Sequence, residues 1–158
     1  MILWRIAAET RRTAASDLSG GGAAASPSRW NDHKQAVMYA APSIAIAVLE
    51  TAAHIDDAGL PLKRFLVRID VPNAVWSARD TLDVAFLPVA WSAIPADRAS
   101  IKVGADWLTS MRSPILLVPS VIVPEEHAAM INPGHPLSAR LTAAIVRPLD
   151  YNHLFRPT

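Results

Sequence analysis

The stretch "QAVMYAAPSIAIAVLETAAHIDDAG", residues 35–59, places both kinds of regular structure side by side. Its first six residues are a short apolar run, which predicts a strand. Pro42 then stands at or near a first helical position, with Ser43 as an alternative cap, and Gly59 lies past the end; together they bracket a helix of about four turns. Residues 44–49 (Ile, Ala, Ile, Ala, Val, Leu) are apolar on every side, so this helix is expected to be buried. Glu50 and His54 follow at i and i+4, on one face. Two readings of that pair stay open. It is an exposed Glu-His pair where the helix surfaces, or a carboxylate with a neighbouring imidazole in a cleft, suited to acid/base work or to stabilising positive charge.

Working outward, "ILWRIA" near the start predicts a strand, and the glycine- and alanine-rich stretch at 18–32, "LSGGGAAASPSRWND", predicts a loop without regular structure. Downstream, "KRFLVRIDVP" alternates. Phe65, Val67, Ile69 and Val71 share one face, Arg68 and Asp70 the other, as in a half-buried strand. "LDVAFLPV" predicts a further short strand, and "SIKVGADWLTS" a short helix or turn carrying Trp107. "SPILLVPSVIVP" predicts a buried strand in which Pro119, which cannot donate to a ladder, forces a bulge or an edge position. "INPGHP" is turn chemistry and "LTAAIVRPLD" a last strand. Mixed order, with strands outnumbering helices, gives the α+β class.

A chain of 158 residues fits one domain, so residues 1–158 are expected to form a single unit. Its 51% hydrophobic content and mean hydropathy of +0.22 argue for a globule rather than a disordered chain. Lys and Arg total 15 against 14 Asp and Glu, so no overall field steers it to nucleic acid or to an anionic membrane. The absence of cysteine excludes a disulfide framework and fits a cytoplasmic location. The opening "MILWRIAAET" lacks the pattern of a secretory signal. "MYAAPSIAIAVL" falls well short of the ~20 residues a membrane span needs. A soluble protein with no direct nucleic-acid or membrane partner is expected.

Several residues outside the helix are able to carry chemistry. Arg29, Trp30 and Asn31 close the glycine-rich loop. Such a loop is either a plain connector or a backbone that lets N–H groups approach a phosphate, with Arg29 as a bidentate clamp. Tyr39, at a strand end, is a core aromatic or a ring that stacks on a planar ligand. Ser120 lacks a G-x-S-x-G elbow, so a hydrolase triad gains no support. The five histidines show no ligand spacing, and no metal is expected. Trp4, Trp76, Trp91 and Trp107 are scattered and are taken as core or rim residues.

In order, "LSGGGAAASPSRWN", "MYAAPSIAIAVLETAAH", "LVPSVIVP" and "INPGHP" resemble the RES-domain family, the toxin half of bacterial toxin-antitoxin pairs, named for an Arg, a Glu and a Ser. The resemblance runs from Trp4-Arg5 to the C-terminal tail. Where the family pattern has two glycines before its Arg, this chain has Pro27 and Ser28. The resemblance implies an ADP-ribosyltransferase-like fold, a mixed β-sheet core with a few helices, that takes NAD as substrate and breaks its bond to nicotinamide. Arg29, Glu50 and Ser120 match the family's Arg, Glu and Ser. The implied NAD contacts are Arg29, Trp30, Asn31, Tyr39, His54 and Ser120. Cleavage develops oxocarbenium-like charge on the ribose, so a fixed carboxylate, Glu50, is the useful catalyst. Arg29 would neutralise the pyrophosphate, Tyr39 would stack on nicotinamide, and His54 or Ser120 would bond ribose or phosphate. Family members differ in what receives the ADP-ribose. Transfer to a target protein is favoured here over NAD phosphorolysis or hydrolysis, and a non-catalytic binding module is the alternative of another class. The family also implies a cognate antitoxin covering the active site, a helical DNA-binding protein encoded next door.

Overall fold

The computed structural model describes residues 1–11, 13–53 and 63–154. The first half contains β1 (Ile2–Ala8), α1 (Gly21–Ala25), β2 (Met38–Ala40), α2 (Ile44–Ala52), β3 (Arg64–Asp70), α3 (Asn73–Ser77) and β4 (Asp80–Thr81). After 3-10 turns at Val84–Phe86 and Val89–Ser92 come α4 (Arg98–Ser110), β5 (Ile115–Pro119), β6 (His127–Ile131) and β7 (Thr142–Leu149), with further 3-10 turns at Pro136–Arg140 and Tyr151–Leu154. The protein is α+β.

Two sheets form. One is antiparallel in the order β1-β3-β7. The other runs β2-β6-β5-β4, antiparallel except for the parallel β4–β5 pair, and so is mixed. They meet at Trp4 and Ala41, whose amides each donate to the other's carbonyl at 2.8 Å. Leu3, Ala7, Val67 and Ile69 of the first sheet pack with Met38, Ile115, Leu117, Ala129 and Ile131 of the second in the main core. The opposite face of the first sheet carries Ile6 and Leu66, which pack under Ile46 and Ala47 of α2 and against Tyr151.

That second layer corrects the half-buried reading of β3. Both faces of the strand are covered near Leu66, which is buried beside Val67, and the register to β7 shifts between these two residues. The other departures have local causes. The stretch at 18–32 holds one helical turn, α1, entered through Gly20 in the left-handed region (φ 72°); the Asn31 side chain and the Lys34 amide bind the α1 carbonyls of Ala23 and Ala24. "LDVAFLPV" is not a strand but one 3-10 turn and the first residue of the next; the turn is capped by Asp83, whose carboxylate accepts from the Ala85 amide at 2.9 Å. Pro119 neither bulges β5 nor puts it at an edge. It is the last residue of a buried strand that pairs on both sides.

The helix α2 also differs from its expected burial. Ile44 and Ala45 are exposed, and Ile46 and Ala47 are its buried residues. Ser43 is the cap, its hydroxyl accepting from the Ile46 amide at 3.2 Å; Pro42 lies just outside. The expected course to Gly59, and His54 with it, lies outside the described residues. Among these, no helix is long and apolar enough to cross a membrane.

Candidate functional site

The turn Ser28–Asn31 is built around an amide. Asn31 is fully buried, and its Oδ1 accepts from the Ser28 amide (3.2 Å) and from the Tyr39 hydroxyl (2.8 Å). Its Nδ2 donates to the carbonyls of Ala23 (2.9 Å) and Asp32 (3.2 Å). One side chain therefore binds α1, the turn and β2 together, and buried amides with all their partners in place are rigid. Burial raises the Tyr39 pKa above its usual value, held partly back by hydrogen bonding from the Trp30 backbone and the Ser28 side chain. The phenol is a fixture of the turn, and its ring packs on the cluster of Trp30, Trp91 and Trp107.

Trp30 locks the turn from the other side. It is buried, and its ring stacks on Trp91 with centroids 6.2 Å apart and planes 22° from parallel. Its backbone lies in a notch of α4 at Gly104, where a Cβ would stand 1.8 Å from the Trp30 carbonyl oxygen. Arg29, between Ser28 and Trp30, is thus carried on a turn pinned at both ends. Its Nη1 donates to the carbonyls of Trp91 (2.8 Å) and Ala93 (2.9 Å). Burial pulls the guanidinium below its usual pKa, and the charge of Glu50 opposes that shift. Glu50 is half-buried on α2, with Oε1 shielded from solvent. The structure therefore brings Arg29 and Glu50 within electrostatic reach, with Tyr39, Trp30 and Asn31 as the frame.

Ser120 follows the last residue of β5. Its Oγ accepts from the amides of Ile122 and Val123, both at 3.1 Å, and its own amide donates to Glu126. The loop it folds bridges two layers, with Val121 packed on the Trp91 cluster and Val123 on the α2 cluster. Ser120 thus orders a loop that leans on the helix carrying Glu50. Of the remaining tryptophans, Trp107 is buried and bonds Ser113 through its indole N–H (2.8 Å), and Trp76 lies under the Arg79 guanidinium at 4.3 Å.

A shallow cavity of about 430 Å³ is lined elsewhere by Asp17, Ser19, Met38 and Ser138. Among the described residues its lining carries one carboxylate and no cationic side chain, a poor match for the doubly charged pyrophosphate of a dinucleotide. Among the described residues no group of three or more His, Cys, Asp or Glu is placed to hold a metal ion. Sequence reading missed Ala93 and Gly104, marked Ser28 only as a departure from the family's glycines, and took Trp91 for core or rim. No signal marks Ala93 or Gly104, because one acts through its main-chain carbonyl and the other by lacking a side chain.

The RES domain model matches residues 2–152. A protein of Sphingobium sp. (strain YBL2) named "Prs ADP-ribosylating toxin" is 48% identical over 149 residues, 94% of this chain and 92% of its own. "Toxin Res" of Yersinia enterocolitica is 34% identical, covering 96% of this chain and 95% of its own, and "Toxin Res" of Pseudomonas putida is 36% identical over 86% and 87%.

Proposed function

This chain belongs to the RES domain family, and on that premise we propose that it is a toxin that cleaves NAD at the nicotinamide–ribose bond and transfers the ADP-ribose to a target protein. The observation that carries the reading is the pinned turn, on which the Trp91 and Ala93 carbonyls fix the Arg29 guanidinium, with Glu50 of α2 within electrostatic reach. The 48% identical relative named as ADP-ribosylating adds the reaction type. In the reaction the C–N bond breaks with its electron pair going to nicotinamide, which leaves neutral. The ribose carbon becomes oxocarbenium-like and then bonds an acceptor nucleophile, which loses its proton. A carboxylate fixed beside that carbon is worth more in the transition state than in the ground state, because it meets charge that is only then developing.

Glu50 fills that role and holds the ribose hydroxyls. Arg29 binds the pyrophosphate through the guanidinium nitrogens that Trp91 and Ala93 leave open. The Tyr39 hydroxyl is taken by Asn31, so its part is the ring face, stacked on nicotinamide. Trp30 and Asn31 serve the ligand by shaping the turn. Ser120 uses both acceptor sites on the loop amides and keeps a hydroxyl proton to donate to ribose or phosphate, as His54 would. The whole chain, residues 1–158, acts as one RES-type domain in the cytoplasm. A cognate antitoxin masks the site, and neither nucleic acid nor membrane is a direct partner.

Purified protein given NAD should release nicotinamide, and Glu50→Gln, which keeps the shape and removes the charge, should be folded and slower by about 10² or more. A labelled protein band in lysate identifies transfer. ADP-ribose 1″-phosphate would instead identify phosphorolysis and free ADP-ribose hydrolysis, while absence of any nicotinamide release leaves the binding-module alternative standing.

A further inference from the structure

The Arg29 side chain is aimed by a segment that is not its own. Val89–Ser92 is a 3-10 turn, and the last carbonyls of a helical turn have no partners within it. Two carbonyls at and just past its end, those of Trp91 and Ala93, both receive Arg29 Nη1. One nitrogen bonded to two fixed acceptors sets both the plane and the heading of a planar guanidinium. Among the described residues Nε and Nη2, the edge that grips two oxygens side by side, bond no other group and remain for a ligand.

The carbonyls are only as fixed as the segment that carries them. Nearby Val89 and Ile94 project fully or almost fully into solvent, at 101% and 86% exposure, whereas Trp91 is 7% exposed. The Trp91 ring is the part of this segment that enters the core, and it does so by stacking on Trp30, the residue next to Arg29. Side chain and main chain of one residue therefore clasp the turn on two sides: the indole holds Trp30 and the carbonyl holds Arg29.

We infer that Trp91 is a positioning residue for phosphate binding, presenting the Nε–Nη2 edge of Arg29 to the NAD pyrophosphate. The inference rests on the reading of Arg29 as a pyrophosphate clamp. On that reading Arg29 holds ground state and transition state alike, so losing its alignment raises KM for NAD and leaves kcat near its starting value.

The test is a double-mutant cycle on nicotinamide release, using wild type, Arg29→Ala, Trp91→Ala and the pair, with thermal melting to confirm folding. Arg29→Ala should raise KM roughly tenfold or more, as loss of charge-assisted hydrogen bonds does. Trp91→Ala should raise KM in the same direction by a smaller factor and add nothing when Arg29 is already alanine, since partners acting through one contact are not additive. Trp91→Phe, which keeps a ring to stack, should recover most of the loss. Should Trp91→Ala fail to fold, Trp91→Leu, which keeps bulk and loses the stack, takes its place in the cycle. Multiplying effects in the pair, or an unchanged KM in a folded Trp91 variant while Arg29→Ala is impaired, overturn the inference alone. An unchanged KM in Arg29→Ala overturns the clamp reading and the inference together.

Discussion

The Tyr39 phenol is held by the turn that carries Arg29, so removing its one oxygen tests the turn without touching the arginine. Tyr39→Phe keeps the ring available to stack and takes away the bond to Asn31 Oδ1. A buried hydrogen bond lost from one side costs about 1–3 kcal/mol, so the melting temperature should fall and KM for NAD should rise through loosening of the turn. Alkaline pH makes a second test. Burial raises the Tyr39 pKa above the ordinary 10.0, so the folded chain holds that proton more tightly than the unfolded one. The stability this confers is complete below the unfolded value, about pH 10, and is lost as the pH climbs from there toward the folded value. Chemical denaturation between pH 8 and 11 should therefore show a stability loss that is shallower in Tyr39→Phe. The remaining slope includes Tyr151, whose phenol burial also raises. Equal slopes in wild type and variant would remove Tyr39 from the buried frame.

Elements meet at this turn through a missing side chain. Glycine inside a helix ordinarily costs up to about 1 kcal/mol against alanine, yet Gly104 lies within α4 because the Trp30 backbone occupies the place of its Cβ. Gly104→Ala should lower the melting temperature where a helix glycine usually gives a gain, with overpacking of about 1–3 kcal/mol opposing the propensity term; a rise would show that α4 moves freely from the turn. The same logic separates what the sequence displayed from what it hid. β1 and β7 were legible as apolar runs and β3 as an alternation, and α2 as an apolar block with Ser43 ahead of it. β6, "HAAMI", carries two alanines that favour no sheet and went unread, though it is the partner of both β2 and β5. α1 was hidden for a related reason, since its alanines become helical when the Asn31 amide arrives from outside the segment. The residue types of the candidate site were legible, Glu50 and Arg29 above all. Their frame was not, because the Trp91 and Ala93 carbonyls are main chain and Gly104 acts by what it lacks.

On the scale of the whole molecule, charge and surface work in the same direction. The net charge is +1 at pH 7 and the isoelectric point about 8.2, so near pH 8 the copies scarcely repel one another. Between Asp83 and Asp97, Phe86, Val89 and Ile94 stand 87%, 101% and 86% exposed, with Val84 at 43%. Several exposed apolar side chains within one segment favour self-association once repulsion is gone. Solubility should therefore pass through a minimum near pH 8 and rise on either side. The paired substitution Phe86→Ser and Val89→Ser should lift that minimum while leaving the melting temperature within about 3 °C. Exposed side chains contribute little to stability, so the effect of each falls within the roughly ±0.5 kcal/mol usual for a surface change. Light scattering across pH 6 to 9.5, beside thermal melts, checks both halves. A drop in melting temperature of about 6 °C or more would show that Phe86 and Val89 pack in solution, and an unchanged solubility minimum would place the association surface elsewhere on the molecule.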